Sequence, residues 1–251
     1  MAYRHCVVVL ESHANQVMTF SEELSQAVSD IVTGRWSTTD GKTVPETEEI
    51  GLGNKGVELE ATMLYADLVD STEMAMHDRK IAAEVYKAFL HCSSKIILRN
   101  GYVRSFDGDR VMGVFIGDSK NTSAAKAALN INWAFRELIT PQFKKQYEVF
   151  RNETLKLAHC TGVDTSKVLV ARAGVRANND LVWVGRAPNI AAKLSTLRDP
   201  PYYSWITNDV YKNMNAEAKV SNGKEMWENR NWNTLPEGMR SVYRSSWTWK
   251  P

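Results

Sequence analysis

The sequence predicts an α+β fold, an antiparallel sheet with covering helices, and three observations carry that prediction. An apolar run through Met63, Leu64, Tyr65 and Ala66 suits a strand buried on both faces, and a long helical pattern follows it. Two short strands, Tyr102 to Phe106 and Arg110 to Phe115, flank Asp107-Gly108-Asp109, a combination that favours a tight hairpin. The order strand, helix, hairpin, helix, strands is that of a ferredoxin-like sandwich, in which helices cover one face of the sheet.

Before the first strand, Val17, Phe20, Leu24, Ala27, Val28 and Ile31 recur at helical spacing, and Gly34 can close that helix. Residues 35–55, rich in Thr, Gly, Asp and Glu, read as an irregular connection. The expected organisation is therefore a leader helix and connection over 1–56 and a second domain over 57–251. Ser71 and Thr72 can cap the pattern from Glu73 to Leu98, which carries Met76, Ile81, Val85, Phe89 and Ile96. Ser123 to Phe150 reads as another long helix, broken or kinked at Pro141. Leu155 to Val163, Lys167 to Val175 and Asp180 to Val184 look like three strands, and Gly185 to Leu197 like a helix. Tyr203 to Ile206 suggests another strand, with Thr207 capping a short helix through Met214, and Ser241 to Trp247 a last strand.

With 43% hydrophobic residues the 251-residue chain can bury a sizeable core. Its 31 basic and 29 acidic residues leave a net charge of +2, which excludes a global nucleic-acid or membrane signature. Cys6, Cys92 and Cys160 are far apart and lack CxxC spacing, against a disulfide framework or a zinc site. The apolar run Val7 to Leu10 is too short for a signal peptide, and no run approaches the roughly 18 residues a bilayer requires. A cytoplasmic protein is expected. His77, His91 and His159 are scattered, with no triad in view, and Cys160 reads as a small buried hydrophobe.

Asp67 ends the opening strand, and the turn beyond it offers backbone N–H groups near Ser71 and Thr72. Such a turn suits a triphosphate and its metal, since amides attract phosphate and hard oxygens bind Mg²⁺ or Mn²⁺. With the hairpin beside the first strand, Asp109 can join Asp67 on one metal pair, the arrangement two-metal phosphoryl chemistry requires. Taken singly, Asp67 reads as a helix-capping acid and Asp109 as a turn acid; their pairing favours the metal. Asn189 and Lys193, four apart, share a helix face, which by itself is an ordinary solvated surface.

Three ordered motifs resemble those of the class III nucleotidyl cyclases, the adenylate and guanylate cyclase homology domain. Tyr65-Ala66-Asp67-Leu68-Val69-Asp70-Ser71-Thr72 is similar to the family's F-A-D-I-V-G-S-T. Gly108-Asp109-Arg110-Val111-Met112-Gly113-Val114-Phe115 is similar to G-D-G-x-M-A-V-F. Gly185-Arg186-Ala187-Pro188-Asn189-Ile190-Ala191-Ala192-Lys193-Leu194 is similar to G-x-x-V-N-x-A-x-R-L. The resemblance covers about Val57 to Tyr243. It implies that Asp67, Asp109 and the Leu68 carbonyl hold two divalent cations, Mn²⁺ or Mg²⁺. It implies further that Asn189 orients the ribose and Lys193 stabilises charge on the phosphates, both reaching the site from the second subunit of a head-to-tail homodimer.

The departures are informative. Lys193 stands where the family has arginine, a point charge without the bidentate fork. The two purine-reading positions fall at Ser105 and near Val182, and neither carries the family's purine signature. A pocket without those polar readers discriminates purines poorly, so a pyrimidine edge at Ser105, with Trp183 or Tyr65 narrowing the site, is expected. Arg230 and Arg240 lie where the family places a phosphate-binding lysine.

The leader adds a closer resemblance. Thr33-Gly34-Arg35-Trp36-Ser37, Val44-Pro45-Glu46 and Leu52-Gly53-Asn54 look like the stand-alone pyrimidine (uridylate) cyclases of bacterial anti-phage signalling, which make cyclic UMP or cyclic CMP for a partner effector. The implied activity is a lyase reaction from UTP to 3′,5′-cyclic UMP and pyrophosphate. The alternatives are a cytidylate cyclase, a purine cyclase, or a cyclase-like domain that senses a nucleotide without turnover.

Overall fold

A computed structural model of the protein describes residues 18–235 and 237–251. The expectations on Cys6, on the run Val7 to Leu10 and on Val17 lie outside the described residues. The chain forms two compact units, Met1–Trp36 and Ser37–Pro251.

In the first unit α1 spans Phe20–Thr33. Thr19 caps it by a reciprocal box: the Glu22 amide donates to the Thr19 hydroxyl, and the Thr19 amide to the Glu22 carboxylate at 2.7 Å. Gly34 closes the helix at φ −66°, so its left-handed freedom goes unused.

The second unit already begins inside the stretch read as a connection, because β1 (Ser37–Asp40) pairs with the start of β2 (Lys55–Leu68). Next come α2 (Ser71–His77), α3 (Arg79–Ile97), β3 (Tyr102–Asp107), β4 (Arg110–Phe115) and α4 (Lys120–Ala134). A π-helical turn at Phe135–Ile139 joins α4 to α5 (Thr140–Gln146), and α6 (Glu148–Arg151) follows. Then run β5 (His159–Val175), β6 (Asn178–Gly185), α7 (Arg186–Ser195), β7 (Ser204–Thr207) and α8 (Asn208–Asn213). The short strands β8 (Val220–Ser221), β9 (Lys224–Glu225) and β10 (Glu228–Asn231) precede β11 (Ser241–Ser245).

Among the described residues the main sheet runs β10-β11-β7-β5-β2-β4-β3, with β1 beside β2 and β6 beside β5. The α+β class is as expected. The sheet is mixed, since β1–β2 and β5–β7 are parallel. Helices also occupy both faces. Leu64, Ala66 and Leu68 of β2 pack with Val111 and Phe115 against α3 and α4, while Leu59, Ala61 and Met63 pack with Met112 and Val114 on the face that α7 covers through Ala187 and Ala191. The two-residue alternation of the strand thus puts odd-numbered β2 residues, Asp67 among them, on the α7 face.

Several elements differ from expectation for identifiable reasons. The helix expected from Glu73 to Leu98 is two helices, because Asp78 leaves helical geometry and caps α3, its carboxylate accepting from the Lys80 and Ile81 amides. Met76, counted with the core pattern, is exposed. Ser71 and Thr72 are not the caps of α2 but its first residues; Asp70 precedes them in the left-handed region at φ 55°. Aspartate is one of the few non-glycine residues that visit this region readily, its short polar side chain being able to hydrogen-bond locally. The long helix expected to Phe150 is interrupted by the π-helical turn just ahead of Pro141, whose missing N–H cannot continue the α-helical ladder.

The first two of the three expected strands are one, β5. Its middle is polar, but Asp164 and Thr165 are buried with partners, so polarity there marks no break. Leu155 to Ala158 lie outside it. Thr207 precedes α8 without capping it, its hydroxyl donating instead to Asp164 at 2.6 Å. No helix among the described residues is long and apolar enough to cross a membrane.

Candidate active site

At the carboxyl end of β2 the chain opens a cleft of about 780 Å³. Asp67, Leu68, Ser71 and Thr72 line it from one side and Asp109 from the other. The β3–β4 hairpin brings Asp109 there. Its two-residue loop starts with Gly108 at φ +61°, a position that favours glycine, and the Asp107–Arg110 pair closes it. Pairing of β4 with β2 from Thr62 to Ala66 then sets the loop beside Asp67.

Asp67 titrates near 6, raised from 3.8 first by burial and then by the charge of Asp109, with Arg110 and Arg198 pulling the other way. One carboxylate oxygen of Asp109, Oδ2, is buried without a hydrogen-bond partner. Two crowded carboxylates, one with an orphaned oxygen, fit a divalent cation. Among the described residues no group of three His, Cys, Asp or Glu side chains converges as a closed metal cage. That donor set suits Mg²⁺ or Mn²⁺, which take one or two carboxylates and complete their shell with water and phosphate oxygens.

The remaining expected site residues do not line this cleft. Ser105 sits half-buried on β3 in a row with Met112 and Tyr65, on the α7 face of the sheet. Val182 is exposed on β6, and Trp183 is half-buried opposite Val170, itself opposite Val57. Val57 and Asp67 lie far apart on one strand, about 30 Å at 3.3 Å per residue. Asn189 and Lys193 are exposed on α7, with the Asn189 amide donating to the Gly185 carbonyl at 3.1 Å. Asp67 and Asp109 therefore meet within the chain, whereas Val182 and Trp183 lie at the far end of the sheet.

Two features that hold α7 were not singled out from sequence. Gly162 of β5 lies under the helix; a Cβ there would be 2.2 Å from the Ala191 carbonyl oxygen. Arg186, the second residue of the third motif, reaches the fully buried Asp164 with Nε and Nη2 at 3.1 and 3.2 Å, and Asp209 with Nη2 at 2.7 Å. A third, Arg198, follows the helix and stands 3.8 Å from Asp67. Its signal in the sequence is only a lone arginine past a helix end.

Of the histidines and cysteines, His159 and Cys160 are both buried in the core. His159 is buried against Asn132, Phe135 and Tyr203, and burial holds its imidazole down at about 3. Burial pushes the Cys160 thiol up to about 12, which makes it inert at neutral pH.

No family model matches the chain. Curated relatives do: a uridylate cyclase of Xanthomonas perforans is 46% identical over 236 residues, covering 93% of this chain and 99% of that protein. Another, from Rhodovulum sp. (strain MB263), is 40% identical over 238 residues, covering 93% and 99%. A third, from Burkholderia cepacia, is 41% identical over 236 residues, covering 92% and 99%. Among solved structures, a bacterial light-regulated adenylyl cyclase superposes with a TM-score of 0.61 at 21% identity, over 78% of this chain and 54% of that one, so the chain spans about half its length. The adenylyl cyclase CyaB from P. aeruginosa gives 0.56 at 19% identity, over 75% and 94%. Both likenesses are of the fold.

Proposed function

Because the chain belongs to the uridylate cyclases, a group with the class III nucleotidyl cyclase fold, we propose that it converts UTP to 3′,5′-cyclic UMP and pyrophosphate. The observation that carries the reading is near-full-length identity of 46% to a uridylate cyclase. The cleft holding Asp67 and Asp109 supports it.

In this reading Asp67, Asp109 and the Leu68 carbonyl hold two divalent cations. When bound, those cations supply Lewis-acid activation of the attacking hydroxyl and neutralisation of the phosphates. Ser71 and Thr72 face the nucleotide from the first turn of α2. The ribose 3′-oxygen attacks the α-phosphorus in line, its proton leaves to solvent, and the bond to the bridging oxygen of pyrophosphate breaks. Asn189 holds the ribose for that approach and Lys193 meets the charge building on the phosphates.

Both come from a second copy of the chain. The separation of Asp67 and Asp109 at one end of β2 from Val182 and Trp183 at the far end of the sheet fits a head-to-tail homodimer with composite sites. Ser105, Val182 and Trp183 line the base pocket of the opposite half, where loss of the family's purine readers favours a pyrimidine; the choice of uracil over cytosine rests on the uridylate cyclases the chain resembles. The product serves as a second messenger in bacterial anti-phage defence, made in the cytoplasm and read by a separate effector.

Incubation of the purified protein with each of the four nucleoside triphosphates and Mn²⁺, followed by product identification, tests the reading. Cyclic UMP as the main product is expected. Cyclic CMP or a cyclic purine nucleotide as the main product would reassign the base, and no cyclic product would leave a nucleotide-sensing domain.

A further inference from the structure

Five acids line the cleft, Asp67, Asp70, Glu73, Asp107 and Asp109, against two cations, Arg110 and Arg198. A triphosphate entering such a place needs cationic donors from the protein as well as any bound metal. Arg110 is committed elsewhere: its Nη2 lies 2.6 Å from Asp107 and its guanidinium lies over the Tyr65 ring. The seven-residue α2 is too short to lend much dipole.

Arg198 is placed differently. Its Nη1 donates to the carbonyls of Ser195 and Leu197, both at 3.1 Å, so the backbone leaving α7 holds the guanidinium in place. Its Nη2 stands 3.8 Å from Asp67 Oδ2, an ion pair too long for a hydrogen bond. Among the described residues neither Nη2 nor Nε donates to any acceptor. The side chain is thus oriented at one end and carries unspent donors in the cleft at the other.

The two arginines of the C-terminal region do not fill this role. Arg230 is spent on Glu228 and the Asn229 carbonyl, Arg240 donates to the Leu235 carbonyl, and neither lines the cleft.

Resting on the reading of the cleft as a nucleotide site, we infer that Arg198 binds the polyphosphate end of the substrate and the departing pyrophosphate, from the same chain as Asp67 and Asp109. A fixed guanidinium pairs bidentately with phosphate oxygens, and little rotamer freedom is lost because Nη1 is already held. This assigns the chain that carries the acids a phosphate-binding cation of its own, beside the Lys193 it receives from its twin.

Calorimetric titration of the full-length protein with pyrophosphate and Mg²⁺ tests the inference without turnover, comparing wild type, Arg198→Gln and Arg198→Lys. Arg198→Gln is expected to weaken pyrophosphate at least tenfold, with Arg198→Lys recovering part of the loss and cyclic UMP binding unchanged. In steady state the Gln variant should raise KM for UTP more than it lowers kcat. Equal pyrophosphate affinity in all three proteins, or a loss confined to Mn²⁺ binding, would overturn the inference. Melting curves on both variants separate a folding defect from lost contacts, and the lysine variant keeps the comparison informative if the glutamine one unfolds. If wild type makes no cyclic nucleotide yet pyrophosphate affinity still depends on Arg198, the cyclase reading fails and the assignment of Arg198 stands.

Discussion

Gly162 and Ala191 touch backbone to backbone: a Cβ on Gly162 would lie 2.2 Å from the Ala191 carbonyl oxygen, and 2.5 Å from the Ser195 amide. That close approach sets α7 on the sheet, and with it the positions of Asn189, Lys193 and Arg198. Gly162→Ala should push the helix outward, at a cost of about 2–3 kcal/mol typical of an overpacked site with a backbone neighbour. Urea unfolding should show a lower midpoint, and cyclase activity should fall more than stability alone explains. A midpoint equal to wild type would mean that α7 has room to move.

Arg186 holds α7 at its other end. Its guanidinium is half-exposed, but Asp164, which it neutralises, has no solvent contact. Arg186→Met should strand that carboxylate and cost about 3 kcal/mol, whereas replacing Asp164 by Asn in the same chain should recover part of the loss. Thermal melts of the single and double variants check this. The single variant losing nothing would mean that Thr207 alone satisfies the buried acid.

Asp67 gives a pH signature in metal-free protein. Its carboxyl titrates near 6 when folded against 3.8 ordinarily, so the folded state disfavours its charge; the penalty is full above pH 6 and vanishes as pH falls toward 3.8. Asp67→Asn, with divalent cations chelated, should therefore melt higher than wild type at pH 7.5, by up to about 3 kcal/mol, and the gap should close near pH 4. Mn²⁺ should raise the melting temperature of wild type and leave that of the variant in place. A variant less stable than wild type at pH 7.5 would contradict the raised pKa.

Composite sites predict complementation. Asp67→Asn and Asn189→Ala should each be nearly inactive alone. In a co-expressed mixture half of the randomly paired dimers are mixed and carry one whole site of two, so about a quarter of wild-type activity should return. No recovery, with mixed dimers confirmed by differential tagging, would place all site residues in one chain.

Local pattern fixed much of this protein before any folding. The apolar run at Met63 to Ala66, the Gly108 hairpin and the Asn189–Lys193 spacing each depend on neighbours two to four residues away, so strand, turn and helix face were legible, and with them the motifs that identify the family. Long-range partners decided the rest. Whether Asp164 breaks a strand or is buried inside one depends on Arg186, 22 residues on, and Thr207, 43 residues on, and no local pattern encodes that. The same holds for Gly162 beneath α7, for Arg198 beside Asp67, and for the length of β2 that separates the acids from Trp183. A sequence states which side chains are available; the free energy of burying or pairing them is settled only when distant segments meet.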